Sequence, residues 1–193
     1  WRQVCSGTIV GQRGEAMTVQ ARQSSEVRTF LLPLKLADSA ASVFCLFSQS
    51  QVVEILGKRP IQRIPLSPGY LQGVVSYQNA LLPVVHLDEL CNRSEKSGRA
   101  SSKQLVVLRT GAADPATGEP LKIAVAAGAG VRTVKLSAQM LTDGFLPCEP
   151  PPSLAASGIL RGFFQQQAMY VALVHLDQIV LGDYARDFQG VVG

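Results

Sequence analysis

Histidine is almost missing from this chain: 193 residues contain two. Charge is also scarce, at 17% of residues, with a net value of +4. The basic residues are scattered, and no Lys/Arg block is interleaved with aromatics. That pattern argues against a nucleic-acid partner, while a modest positive excess favours acidic protein surfaces. The four cysteines, Cys5, Cys45, Cys91 and Cys148, include no C-x-x-C pair. They read as single buried or half-exposed thiols in a reducing compartment. No apolar run approaches the roughly 20 residues of a membrane span, and no secretory signal is visible. Membrane insertion is not expected, and the cytoplasm is the expected location. The chain starts at Trp1 rather than Met, which reads as a piece of a longer or processed protein.

Catalytic signatures are missing too. There is no G-x-S-x-G elbow and no cysteine with a recognisable histidine partner. The glycines of GAGV (128–131) lack the G-x-G-x-x-G spacing of a nucleotide loop. These gaps leave no motif that supports a nucleophilic enzyme, and no cofactor is expected from the sequence.

What the chain has in abundance is apolar residues, 47% of the total, with 17 glycines and 11 prolines. A chain of this length buries roughly 70% of its extended surface, so it needs no disulfide or metal staple. Short apolar runs alternate with turn-rich stretches, and long helical periodicity is nearly absent. The pattern predicts an all-β barrel or sandwich. Phe30, Leu32, Leu34 and Leu36 alternate with Leu31, Pro33 and Lys35, which is strand spacing, and Pro33 predicts a locally unpaired edge. ADSAAS (37–42) then turns into VFCLF (43–47). QVVEIL (51–56) is a strand and IQRIPLSPGYLQG (61–73) an irregular connector. QLVVLRT (104–110) and LKIAVAA (121–127) are strands joined by a long loop. SAQMLTDG (137–144) predicts a short helix with Ser137 as its N-cap, and PCEPPPSLAASG (147–158) a proline-rich loop.

Both histidines lie in a copy of Val-His-Leu-Asp. With Gly73 placed over Gly162, GVVSYQNALLPVVHLD lies over GFFQQQAMYVALVHLD without a gap. A hairpin followed by a helical turn explains every shared feature. Asp88 and Asp177 fall where a strand hands over to a helix, an N-cap position worth on the order of 1 kcal/mol each. The remote alternative is a metal-dependent hydrolase that pools the two His-x-Asp pairs. Zinc wants three or four ligands, and no cluster of Cys, His, Asp or Glu stands nearby to complete a shell. The repeat therefore points to architecture rather than chemistry.

The central block VVEILGKRPIQRIPLSPGYLQGVVSYQNALLPVVHLDEL (52–90) resembles the CheW family of chemotaxis coupling proteins. The resemblance rests on Val52-x-Glu54-Ile55, Ile61, Ile64, Pro68, Gly73-Val74 and Leu82-Pro83-Val84-Val85-x-Leu87, and it extends loosely over residues 27–182. It implies an all-β fold of two intertwined, five-stranded SH3-like barrels with a few short helices. It divides the chain into an N-terminal extension (1–26), a CheW-like domain (27–187) with a junction near 92–103, and a tail (188–193). It further implies a non-catalytic adaptor whose partners are the regulatory domain of a CheA-type histidine kinase and the cytoplasmic tip of a chemoreceptor. The oligomeric state is left open. The chain departs from the family at three places. The Asn-x-Arg-Gly turn is Ser76-Tyr77-Gln78-Asn79, Pro-Val-x-Asp-Leu is Pro83-Val84-Val85-His86-Leu87, and Val-Asp-x-Val is Gly128-Ala129-Gly130-Val131. These changes motivate a second reading, a divergent scaffold or targeting module, or a regulatory domain cut from a longer histidine kinase.

The resemblance nominates Val52, Glu54, Ile55, Tyr77 and Gln78 as partner-binding. Glu54 is either a rim charge that orients a partner or an ordinary solvated glutamate. Val52 and Ile55 line a groove or fill a barrel. Tyr77 is an anchor or a cross-strand packing residue. Gln78 keeps a hydrogen bond where the family has arginine, or is a plain turn residue.

Overall fold

The computed structural model describes residues 26–92, 103–128, 130–137, 140 and 144–181. The N-terminal extension up to residue 25, the junction segment 93–102 and the chain after 181 lie outside them. Eleven strands and three short helices alternate among the described residues: β1 Val27–Leu34, β2 Val43–Ser48, β3 Val52–Leu56, β4 Leu71–Tyr77, β5 Ala80–Val85 and α1 Leu87–Cys91 in the first half. The second half holds β6 Gln104–Ala113, β7 Pro120–Ala127, β8 Arg132–Leu136, β9 Leu146–Pro147, α2 Pro152–Ala156, β10 Leu160–Gln166, β11 Met169–Val174 and α3 Leu176–Leu181. The all-β expectation holds. Of the helix expected over 137–144, little is described. At its ends the Met140 N–H donates to the Ser137 hydroxyl (3.2 Å) and the Gly144 N–H to the Met140 carbonyl (2.9 Å). α2 was not foreseen in the proline-rich loop. Pro152 opens it, a position where a missing N–H costs nothing.

The strands form two mixed sheets, ordered β8-β1-β2-β11-β10-β9 and β3-β6-β7-β5-β4. Each sheet takes strands from both halves. β1 pairs with β8 and β3 with β6, both antiparallel, while β2 runs parallel to β11 and β5 parallel to β7. The halves are thus intertwined through the sheets themselves. The second sheet has five strands as expected. The first has six, the last being the two-residue β9.

β6 and β7 sit in the middle of the second sheet and are buried on both faces, which is why LVVL and IAVAA read as unbroken apolar runs. Leu105, Val107, Ala124 and Ala126 point into a small core with Leu56, Val75, Tyr77, Leu82 and Val84. Val106, Leu108, Ile123, Val125 and Ala127 point the other way, into a larger core shared with Leu32, Leu34, Cys45, Phe47 and the helices. Pro33 lies beyond the last β1–β8 pair, Leu31↔Arg132, so it faces a local gap in pairing although β1 is an inner strand. Burial pushes the Cys45 thiol well above its usual range, with Cys91 and Asp88 nearby adding to the effect. Cys91 is buried as well, and Cys148 half-buried.

The repeat is real at the level of backbone bonds. In β4–β5, Leu71 pairs with Val85 and Gly73 with Val84, with a bulge between. In β10–β11, Leu160 pairs with Val174 and Gly162 with Leu173, with a bulge at the same place. The His86 N–H donates to the Tyr70 carbonyl at 2.8 Å, and the His175 N–H to the Ile159 carbonyl at 2.7 Å, again equivalent positions. Gln78 and Gln167 open the two hairpin turns, both in the left-handed region (φ 47° and 53°). Asn79, a residue type that tolerates positive φ, joins Gln78 there at 64°.

The role expected for the two aspartates is corrected. His86, not Asp88, occupies the N-cap of α1, and no side chain caps that end. Asp88 stands inside the first turn, and its Oδ1 accepts the Lys35 N–H (3.0 Å) just past β1. Asp177, likewise the second residue of α3, accepts the N–H groups of Gly111 (2.6 Å) and Ala112 (3.2 Å) in β6. A strand that stops at Val85 or Val174 delivers the carboxylate two residues too late for capping, and it turns outward to a strand of the other sheet. α1 follows a strand of the second sheet and clasps the end of β1 in the first. α3 follows a strand of the first and clasps β6 in the second. Asn92 completes the first clasp, donating to the Lys35 carbonyl and accepting the Ala37 N–H, each at 2.8 Å.

Candidate functional site

β3 and β4 are the two outer strands of the five-stranded sheet. The Tyr77 hydroxyl nevertheless donates to Glu54 Oε2 at 2.9 Å. The sheet is therefore rolled until its outer strands meet, and Tyr77 spans the seam. Its ring is 7% exposed and belongs to the small core, so Tyr77 is not a free surface anchor. Burial, then the Glu54 bond and charge, push the phenol above its ordinary value. It stays protonated and remains a donor to the exposed Glu54 side chain.

The β3 bulge between Val52 and Glu54 explains why these neighbours face differently. Val52 packs against the large core, while Glu54 and Ile55 are exposed, Ile55 at 38%. Gln78 is exposed in the turn that follows Tyr77. Of the five nominated residues, Glu54 and Tyr77 touch. Ile55 lies beside Glu54 on β3 and Gln78 beside Tyr77, while Val52 serves the core. The arrangement offers an oriented carboxylate next to an exposed apolar side chain on a rolled sheet. Leu81 on β5, 65% exposed, also presents apolar surface on this sheet. The LLPVV run hid it, because a strand that alternates inside and outside is indistinguishable from one buried on both faces when both sets are apolar.

The His-Leu-Asp segments are occupied by their clasps. His86 is 3% exposed and its Nε2 has no hydrogen-bond partner, a cost the fold absorbs. His175 is one-third exposed, with Nδ1 3.9 Å from Asp177 Oδ2. Among the described residues no group of three or more His, Cys, Asp or Glu side chains gathers in a way that could hold a metal ion. No described helix is long and apolar enough to cross a membrane.

Comparison with known proteins bears on this geometry. A family model described as CheW-like domain matches residues 36–180. Among solved structures, the scaffolding protein TtCheW from Thermoanaerobacter tengcongensis superposes with a TM-score of 0.53 at 14% identity, covering 77% of this chain and 84% of that one. At that identity the likeness is one of fold. No curated protein sequence matches.

Proposed function

The chain belongs to the CheW-like domain family, and we propose that it is a non-catalytic signalling adaptor of the chemotaxis type, coupling a chemoreceptor to a CheA-type histidine kinase through protein–protein contacts. A chemotaxis scaffold is the general role the family carries, and TtCheW is itself a scaffolding protein. The observation that supports a partner face on β3 is the Tyr77–Glu54 bond beside exposed Ile55. The bond fixes a carboxylate at the seam before any partner arrives, which lowers the ordering cost of binding. Gln78 stands at the rim of the same face, and Val52 supports the strand from beneath. A contact of about 800 Å² per partner is enough for such a role.

Calorimetry against the regulatory domain of a CheA-type kinase and against a receptor tip from the same genome tests the reading. Saturable binding to the kinase domain that weakens in Glu54→Arg supports it. Silence toward both at about 100 μM, a range in which transient signalling contacts still register, overturns it.

The turn supports a second reading. Gln78 and Asn79 replace the arginine and glycine of the family pattern, and glutamine lacks the planar five-donor fork of arginine. A divergent scaffold or targeting module, or the regulatory domain of a longer kinase, fits that loss. The full reading frame separates these: phosphotransfer or ATP-binding segments beside the chain place it within a kinase.

A further inference from the structure

A groove of about 520 Å³ lies at the far end of the first sheet, where β1 and β2 meet their connecting loop. It lies on the other sheet from the Glu54 face and does not depend on the reading above. Pro33, Leu36 and Phe44 supply apolar walls, and Lys35 and Arg132 are the only ionisable residues that line it. The groove exists because β8 stops pairing at Arg132↔Leu31, two residues before Pro33, while β1 runs on to Leu34.

The two cations are held in place, and Arg132 is the less neutralised of the two, since the Asp88 charge acts on Lys35. The Arg132 guanidinium lies 5.3 Å from the centroid of the Phe44 ring, and that ring is 6% exposed and so cannot swing away. A guanidinium held over a ring face by its charge still has N–H donors to offer a carboxylate. The backbone of Lys35 is gripped from both sides by Asp88 and Asn92, which fixes the rim from which its ammonium projects. Neither Lys35 nor Arg132 forms an ion pair among the described residues. Of the nearby carboxylates, half-buried Asp88 acts on the Lys35 backbone and on part of its charge, and Asp38 is engaged elsewhere. Asp88 accepts the Lys35 N–H from within α1. Asp38, in the β1–β2 loop, is turned to the start of α2, where it accepts both the N–H and the hydroxyl of Ser153, each at 2.7 Å.

We infer that this groove is a second docking surface, built for an extended acidic segment of a partner protein that carries an apolar side chain next to a carboxylate. The apolar side chain enters between Pro33 and Phe44, and the carboxylate meets the Arg132 fork with Lys35 beside it. Added pairing along β1 does not contribute here. The Lys35 N–H and carbonyl and the Ala37 N–H are already bonded to α1 and Asn92, and Pro33 has no N–H to offer. Recognition therefore runs through side chains, and it weakens with salt as exposed ionic contacts do.

The test is a titration of ¹⁵N-labelled full chain with a short synthetic peptide that alternates glutamate with leucine and phenylalanine. The matched controls are a lysine version of the peptide, inorganic phosphate, and vesicles containing an anionic lipid. Saturable shifts centred on Lys35, Leu36, Phe44 and Arg132 are expected with the glutamate peptide alone. Arg132→Glu should weaken binding at least about tenfold and Lys35→Glu several-fold. Both residues are exposed, so the variants should keep the wild-type spectrum elsewhere, and Glu54→Arg should leave this binding unchanged. The inference falls if no shift saturates by about 1 mM, or if the shifts map to β3 instead. It also falls if the lysine peptide binds as well, or if phosphate or the vesicles produce the same response.

Discussion

The two copies of the hairpin and His-Leu-Asp unit share their backbone and differ in almost everything around it. Both have the bulge at the same place, the same histidine N–H bond and the same aspartate clasp. Yet His86 is sealed in the core while His175 is one-third exposed, and Asp177 is open to the same degree. A short run of residues is enough to write a local conformation twice. The energetic weight of each residue in it is set by whatever the rest of the chain packs against it.

The largest expected difference lies at the aligned glycines. A Cβ on Gly73 would stand 2.1 Å from the Gln62 carbonyl oxygen, a backbone atom bridged to Val74, and φ there is +144°. Gly73→Ala should cost more than about 3 kcal/mol in urea unfolding. On Gly162 the Cβ would meet the Phe164 ring at 2.9 Å, and a half-buried ring can shift. Gly162→Ala should cost about 1 kcal/mol. Equal costs would mean that the bulge itself, rather than the connector lying over Gly73, demands glycine.

Next come the clasps. Asp88→Ala removes the half-buried acceptor of the Lys35 N–H, and should cost about 1–2 kcal/mol. Asp177→Ala frees N–H groups near solvent, Gly111 being exposed, and should cost about half as much. Burial pushes the Asp88 carboxyl up, against the lowering effects of the Lys35 N–H and of the His86 and Lys35 charges. A carboxyl raised in the fold is least favourable when ionised. Wild type should therefore gain stability relative to Asp88→Asn as pH falls from neutral through that raised value, and the gap should level off below the ordinary 3.8. A gap that widens upward in pH instead would show that the hydrogen bond outweighs burial.

An effect of similar size to the weaker clasp is expected at Tyr77, which has no counterpart because Gln166 stands at the equivalent position. Tyr77→Phe keeps the buried ring and loses the bond to Glu54. It should cost about 1 kcal/mol in stability. If Glu54 needs orienting, the same variant lowers affinity for a kinase regulatory domain more than it lowers stability.

Much of this was legible in the sequence because it is local. The offset between Gly73 and Gly162 already carried the register of both hairpins, and the turn-bounded apolar runs carried the strands. What pairs with what across the halves was not legible. LVVL and IAVAA are apolar on both faces, so their pattern does not say which neighbour lies on which side. The destination of the aspartates was hidden for a related reason. Capping is the nearest use of such a residue, whereas Asp88 and Asp177 reach acceptor roles 53 and 66 residues away. Glu54 was nominated by family pattern, but its bond to Tyr77 depends on the rolling of the sheet, which no short window records. Lys35 and Arg132 meet at the groove only because β8 pairs with β1.

That last pairing also bears on how the protein is made. Val27 meets Leu136, and Thr29 donates its hydroxyl to Val134 over a separation of 105 residues. At synthesis rates of roughly 5–20 residues per second, β1 leaves the ribosome on the order of ten seconds before β8 exists. Throughout that wait the nascent chain holds an apolar strand with an unfilled side. Slow acquisition of the native state and dependence on chaperones during translation are the natural companions of such a topology.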